Sequence, residues 1–305
     1  MKAKILFLLH SNAGQTRRAV DELAKGICAS SSAEISYIEL MDAKEYPFPW
    51  GFYEFFSIFP ECAIEKPDPL TINPQPILSD YDLIVIAYPI WFLSPSLPLQ
   101  AFFKSHLADG LKGKPIVSLI TCRNMWVEAG QRVTQWISEK GGALVDTIVL
   151  ADRSPPWTTF ITTPVWMLTG NKKLPMLPEA GIQEEDYLRL REWGQLIGDT
   201  VSSGANNWHK PSLDQVETIA LQEKYILPEK VLKNLLFKPA AFGIYHLSRF
   251  LPIVRKPFVY LFLVFLVFSI LILIPIVLVM KIFLRIFFKD IGESLRKKAL
   301  YPYHQ

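Results

Sequence analysis

Short, wholly apolar runs alternate with amphipathic stretches through the first half of the chain. Lys4–Leu9, Glu34–Leu40, Leu83–Tyr88, Pro115–Thr121 and Ala143–Leu150 read as strands. Ile5 to Leu9 and Leu83 to Ala87 contain no polar residue, the mark of strands covered on both faces. Between the runs, Gly14–Ala29, Leu97–Leu107 and Trp126–Glu139 read as helices, the first with Val20, Leu23, Ala24 and Ile27 on one face. A further helix is expected over Glu184–Ser202, where Leu190, Trp193, Ile197 and Val201 recur at helical spacing. Five strands joined by helices predict an α/β, doubly wound, five-stranded parallel sheet. The pattern does not give the strand order.

Two segments break the alternation. Tyr46 to Pro60, YPFPWGFYEFFSIFP, follows the second strand, and Ser154 to Gly170, SPPWTTFITTPVWMLTG, follows the fifth. Both lie beyond carboxyl ends of strands, the edge where open α/β sheets bind ligands, so they serve either as extra core or dimer surface or as a cover for a site. The sheet domain is expected over residues 1–203, with insertions at 46–60 and 152–182, followed by a helical juxtamembrane region over 204–257. Phe258 to Met280 then runs 23 residues without a charge. A helix of that length extends roughly 35 Å, enough to cross a bilayer core with some tilt. Lys238, Arg249, Arg255 and Lys256 precede it, and Lys281, Arg285, Lys289, Arg296, Lys297 and Lys298 follow it in a basic interfacial tail over 281–305. Basic residues on both sides leave two paths open: a conventional span, or a re-entrant segment bent at Pro275.

Composition narrows the classes. A net charge of +3, with its basic residues gathered around an apolar run, argues for lipid headgroups and against nucleic acid. Cys28, Cys62 and Cys122 are odd in number and form no CxxC, which fits a reducing compartment. The first apolar run is too short for a signal peptide, so a cytoplasmic sheet domain with a membrane-associated C-terminal region is expected.

Three strand-end segments carry candidate chemistry. Ser11-Asn12-Ala13-Gly14-Gln15-Thr16 joins the first strand to the first helix. Gly14 permits close backbone approach, the helix N-terminus offers unpaired N–H groups, and Ser11 and Thr16 add hydroxyls, a composition suited to phosphate. It is neither a P-loop nor a dinucleotide fingerprint. Pro89-Ile90-Trp91-Phe92 follows the third strand, with Pro98 to Lys104 beyond it; Thr121-Cys122-Arg123-Asn124-Met125-Trp126 follows the fourth. Trp91, Phe92 and Trp126 offer faces to a flat ring, and backbone N–H groups of 90–93 and 122–125 offer donors.

In this order and spacing the three segments resemble the FMN site of flavodoxins and flavodoxin-like quinone reductases, over roughly residues 1–150. Ala13 stands where that family has a threonine, which removes a hydroxyl and leaves the backbone donors. The resemblance implies FMN bound by residues 11–16, 89–92 and 121–126, possible use of NAD(P)H, and a homodimer. With the aromatic insertion and the hydrophobic C-terminus, the chain also resembles the dialkylresorcinol-condensing enzymes, flavodoxin-like partners of ketosynthases. That narrower likeness implies aromatisation of a lipophilic ring, with a flavin accepting a hydride and a base removing a proton. The base is not identified by the sequence: His10, Tyr53, Glu54, Glu61 and Cys122 are the residues weighed. A membrane-anchored NAD(P)H:quinone reductase and a non-enzymatic electron carrier are the alternatives.

Overall fold

A computed structural model of the chain describes residues 2–72, 77–203, 223–268 and 272. Its strands are β1 (Lys4–Leu9), β2 (Glu34–Glu39), β3 (Leu83–Trp91), β4 (Ser94–Pro95), β5 (Pro115–Cys122) and β6 (Ala143–Ala151). Five of them form a parallel sheet in the order β2-β1-β3-β5-β6. The sheet therefore has six strands where the sequence predicts five, because the chain doubles back after β3. Phe92 and Leu93, at φ 49° and 59°, make a two-residue turn that returns β4 antiparallel onto Ile90 and Trp91. Positive φ at both turn residues gives the twist that a tight hairpin needs. Pro89 to Trp91, read as a loop from the sequence, consequently end a strand.

Alternate side chains of β1 go to opposite faces, which is why its sequence is apolar throughout. Ile5, Phe7 and Leu9 pack with Val20, Leu23 and Ile27 of α1 (Gln15–Ser30) and with Leu190 and Ile197 of a later helix over Glu184–Ser202. Leu6 and Leu8 join Ile84, Ile86 and Tyr88, under Leu99 and Phe102 on one helix and Val133 and Ile137 on another. Those two helices are α4 (Leu97–Lys104) and α5 (Val127–Glu139).

The first insertion folds as α2 (Phe52–Ser57) and α3 (Phe59–Ala63), and the second as α6 (Pro156–Thr169), ended by Gly170 at φ 76°. The chain then enters α7 (Glu184–Ser202), which lies against α1. Glycines allow that close approach: a Cβ at Gly26 would lie 2.1 Å from the Arg191 carbonyl oxygen, and one at Gly194 would lie 2.2 Å from that of Leu23. Beyond it, α8 (Glu223–Val231), a π-turn over Leu232–Phe237 and α9 (Lys238–Phe250) form a C-terminal arm. The arm returns to the first insertion, where Phe237, Ala241 and Ile244 bury against Phe59 and Ala63.

Residues 255–268 are helical and extend the arm. Residues 258–268 of this helix are the first part of the expected membrane segment. Apart from residue 272, the rest of that segment lies outside the described residues, as do the tail over 281–305 and residues 204–222. Among the described residues, no helix is long and apolar enough to cross a membrane.

Candidate functional site

The order of the five parallel strands reverses direction at β1 and β3, so their carboxyl ends open a crevice between connections that leave to opposite sides. Ligands of open α/β sheets bind at this switch point. The first two sequence-predicted segments leave β1 and β3 there, and the third leaves β5, the next strand along.

The first segment contains the start of α1. Gly14 is its N-cap at φ 79°, with no side-chain cap and no acidic residue in the first turn; a Cβ built on Gly14 meets nothing within 4 Å. The Ser11 hydroxyl oxygen accepts the N–H of Arg17 at 3.0 Å. The N–H groups of Gln15 and Thr16 have no partner among the described residues. Helix geometry leaves exactly such first-turn donors for an anion. The Gln15 side-chain nitrogen is also buried and unpartnered. Thr16 reaches across to the third segment, its hydroxyl 2.7 Å from that of Thr121. Two hydroxyls that share one hydrogen leave the other free to donate. Ala13 is half-buried.

The second segment is committed to the insertion. Trp91 is buried edge-to-face against His10, Tyr46 and Trp50, at centroid distances of 5.1, 5.1 and 5.7 Å. Phe92 packs on Phe55, Phe56 and Phe59. Pro89 is half-buried, and Ile90 packs into the core under α4 and α5. Asn12, from the first segment, uses its side chain in the same way: its amide donates to the Tyr46 carbonyl, and its oxygen accepts the Trp50 indole N–H at 2.7 Å. The insertion is thus fastened directly onto the crevice. Gln100 holds its far end, donating to the carbonyls of Cys62 and Pro95 at 3.0 and 2.8 Å.

In the third segment Cys122, Arg123, Asn124 and Met125 are half-buried, and Met125 stands at φ 52°. Arg123 donates to the Thr159 hydroxyl at 2.9 Å and covers the Phe160 ring at 4.0 Å, so it ties the segment to α6. Trp126 is buried in the core as the N-cap of α5. Burial pushes the Cys122 thiol up, with Glu229 and Asp152 acting in the same direction, which keeps it from being a thiolate.

The two insertions meet above the crevice. The Trp50 N–H donates to the Met167 carbonyl at 2.9 Å, and Phe48 lies edge-to-face with Trp166 at 5.8 Å. These contacts join the two insertions at the sheet edge where the crevice lies.

Of the residues weighed as a base, only His10 stands at the switch point. Its Nδ1 lies 3.1 Å from the Leu40 carbonyl, and its Nε2 is buried without a partner among the described residues. Burial lowers its pKa to about 4, so the ring is neutral at physiological pH. A carbonyl oxygen only accepts, so the hydrogen sits on Nδ1 and Nε2 presents a bare lone pair. Glu61 instead pairs with Arg255 at 2.7 Å, Tyr53 lies under Lys256, and Glu54 is exposed.

One site neighbour left no sequence signal. Glu229 of α8 is fully buried and accepts the N–H of Val127 at 3.3 Å and of Glu128 at 2.9 Å, at the head of α5. Burial is the largest influence on it and raises its pKa to about 8. Lys233 beside it is buried as well, and its pKa is lowered by that burial.

No family model and no curated protein matches the chain. Solved structures similar to it include a flavodoxin from the domain Archaea, at 14% identity and a TM-score of 0.38, covering 65% of this chain and 99% of that one. A flavodoxin of Megasphaera elsdenii is 16% identical with a TM-score of 0.32, over 50% and 88% of the two chains. An azoreductase from Bacillus anthracis is 12% identical with a TM-score of 0.37, over 65% and 99%. Likenesses this distant carry no argument about activity. The strand order decides the fold, since a parallel sheet ordered 2-1-3-4-5 with helices on both faces is the flavodoxin arrangement. The fold is flavodoxin-like.

Proposed function

We propose that the protein is an FMN-dependent oxidoreductase acting on a hydrophobic, ring-containing small molecule at the cytoplasmic face of a membrane. The observation that carries this reading is the N-terminus of α1 at the switch point, whose first two N–H groups are open, linked through Thr16 and Thr121 to the loop after β5. Those residues fit a phosphate monoester. The N–H groups of Gln15 and Thr16 and the Thr16–Thr121 hydroxyl pair would hold it, and the backbone of residues 89–92 and 121–126 would border the ring. Bound there, FMN supplies two-electron chemistry toward a carbon of the substrate ring.

The chain's own residues define what surrounds that chemistry. The roof of Tyr46, Phe48, Trp50 and Trp166 keeps water from the crevice and favours an apolar substrate. His10, held neutral by burial, backs the Tyr46 and Trp91 rings from inside the crevice and adds no charge there. On its outer side α6 exposes Trp157, Phe160 and Ile161, an apolar approach for a lipophilic ligand. The run Phe258–Met280 would anchor the protein where such substrates partition.

The finer version, aromatisation to a dialkylresorcinol beside a ketosynthase, rests on the likeness carried by the insertion. The quinone-reductase reading differs in its electron source, and the test separates the two. Anaerobic mixing of the FMN-loaded protein with NAD(P)H bleaches the flavin absorbance if it is a reductase. Bleaching only by a cyclohexanone-type ring compound supports an aromatase. No bleaching by either leaves the electron carrier and removes the enzyme reading.

A further inference from the structure

The helix over residues 255–268 is apolar on both sides. Its inner side buries Val259 and Phe262, with Phe262 stacked on Phe59 at a centroid distance of 4.0 Å. Its outer side carries Phe258, Tyr260, Leu261, Val264, Phe265, Val267 and Phe268, each between 38% and 62% exposed. Just before it, Phe250 and Ile253 are 85% and 80% exposed. A helix on a water-facing surface normally places polar residues there, and a continuous apolar face marks a binding surface. The first insertion shares this face: Phe52 of α2 is half exposed and stacks on Tyr260, while Lys256 covers the Tyr53 ring at 5.5 Å.

Charge indicates what covers it. From Lys230 to Lys289 the sequence has nine lysines and arginines and no aspartate or glutamate. Lys238, Arg249 and Lys256 of this stretch are exposed. The same apolar run continues to Met280 in the sequence. Aromatic and aliphatic groups accompanied by cations of one sign match hydrocarbon beneath anionic headgroups.

We propose that this face, with Phe52 of α2 inside it, docks into the headgroup layer of an anionic bilayer, so that the insertion roofing the candidate site lies against lipid. The proposal rests on the membrane part of the functional reading and is independent of the flavin part. It adds a run of contacting rings between the lipid-facing side and the site. Phe52 and Phe56 are in contact, Phe56 and Phe55 both touch Phe92, and Phe55 touches Trp50, which lies against Trp91.

The test uses the full chain carrying Cys28→Ser, since Cys62 is buried and the Cys122 thiol is kept from ionising, with nitroxide labels at Phe52→Cys, Phe250→Cys or Leu188→Cys. Each is reconstituted into phosphatidylglycerol–phosphatidylcholine vesicles. Labels at 52 and 250 gain accessibility to oxygen and lose it to a polar nickel complex, while the label at 188 on α7 stays aqueous. An aqueous label at 52 in vesicle-bound protein overturns the proposal, since the apolar run would then hold the protein without this face. Equal protection of the label in vesicle-free protein that self-associates also overturns it, by assigning the face to a second copy. Reversing Lys238, Arg249 and Lys256 to glutamate should weaken binding to the anionic vesicles by on the order of a hundredfold. Equal binding of the parent to pure phosphatidylcholine vesicles would remove the anionic requirement. Flavin absorbance of the same samples is read separately, so loss of the flavin reading and loss of this one are distinct results.

Discussion

Gly14 and Glu229 are the residues on which the candidate site is most exposed to test. At Gly14 a side chain would have room but would have to sit at φ 79°, a left-handed conformation costing an L-residue about 1–2 kcal/mol. Gly14→Ala should therefore fold and weaken FMN binding by roughly five- to thirtyfold. Fluorescence titration reads that loss, and unchanged affinity would place the phosphate elsewhere. Glu229 links the arm to the third loop. Its folded pKa, about 8, lies above its ordinary value, so the folded state holds a proton that the unfolded chain has released. Stability is full below the ordinary carboxylate range and falls as pH rises toward 8. Lys233 opposes the ionisation cost, while Glu128 adds to it. Glu229→Gln should flatten this decline in urea midpoints compared between about pH 6 and about pH 9. An identical pH slope in the variant would show that Glu229 does not titrate there. His10 behaves in the opposite sense. With its pKa lowered to about 4, its contribution is whole above 6.5 and is lost as pH falls toward 4, so its ring proton resonances should stay constant between pH 8 and 6.5.

Among the elements, the packing of α1 on α7 is the least tolerant. Neither Gly26 nor Gly194 has room for a Cβ against the opposing backbone, so Gly194→Ala must push the helices apart. The expected loss is about 1–3 kcal/mol, read as a lowered urea midpoint. A neutral result would mean that the two helices do not approach so closely. The sequence carried the helix itself through Leu190, Trp193 and Ile197, and it carried every long strand to within a few residues. Those runs are buried on both faces, so apolar periodicity reports them directly. The β3–β4 hairpin was not legible, because its turn is built from Phe92 and Leu93 and not from asparagine or glycine. Tertiary contact with Phe55, Phe56 and Phe59 sustains that turn.

For the whole molecule, the legible part is the sheet and the three loops at its edge; the illegible part is what covers them. The side chains of Asn12, Trp91 and Phe92 bind the insertion, a partner that loop position alone does not reveal. Glu229 lies about a hundred residues from the backbone it caps, with no local pattern to betray it. The arm and both insertions are assembled by long-range packing of aromatic residues whose spacing has no helical or strand period. A minimal flavodoxin-like sheet is thereby given a greasy roof that adjoins the apolar face of the arm, the arrangement on which the proposed function rests. The redox part of the proposed function depends on the crevice holding a flavin. The most direct measurement is an FMN titration of the purified full-length protein, followed by visible absorption and flavin fluorescence. Saturable one-to-one binding, with a shifted and structured absorption band, is the result expected. An FMN spectrum unchanged by excess protein would contradict the account at its centre.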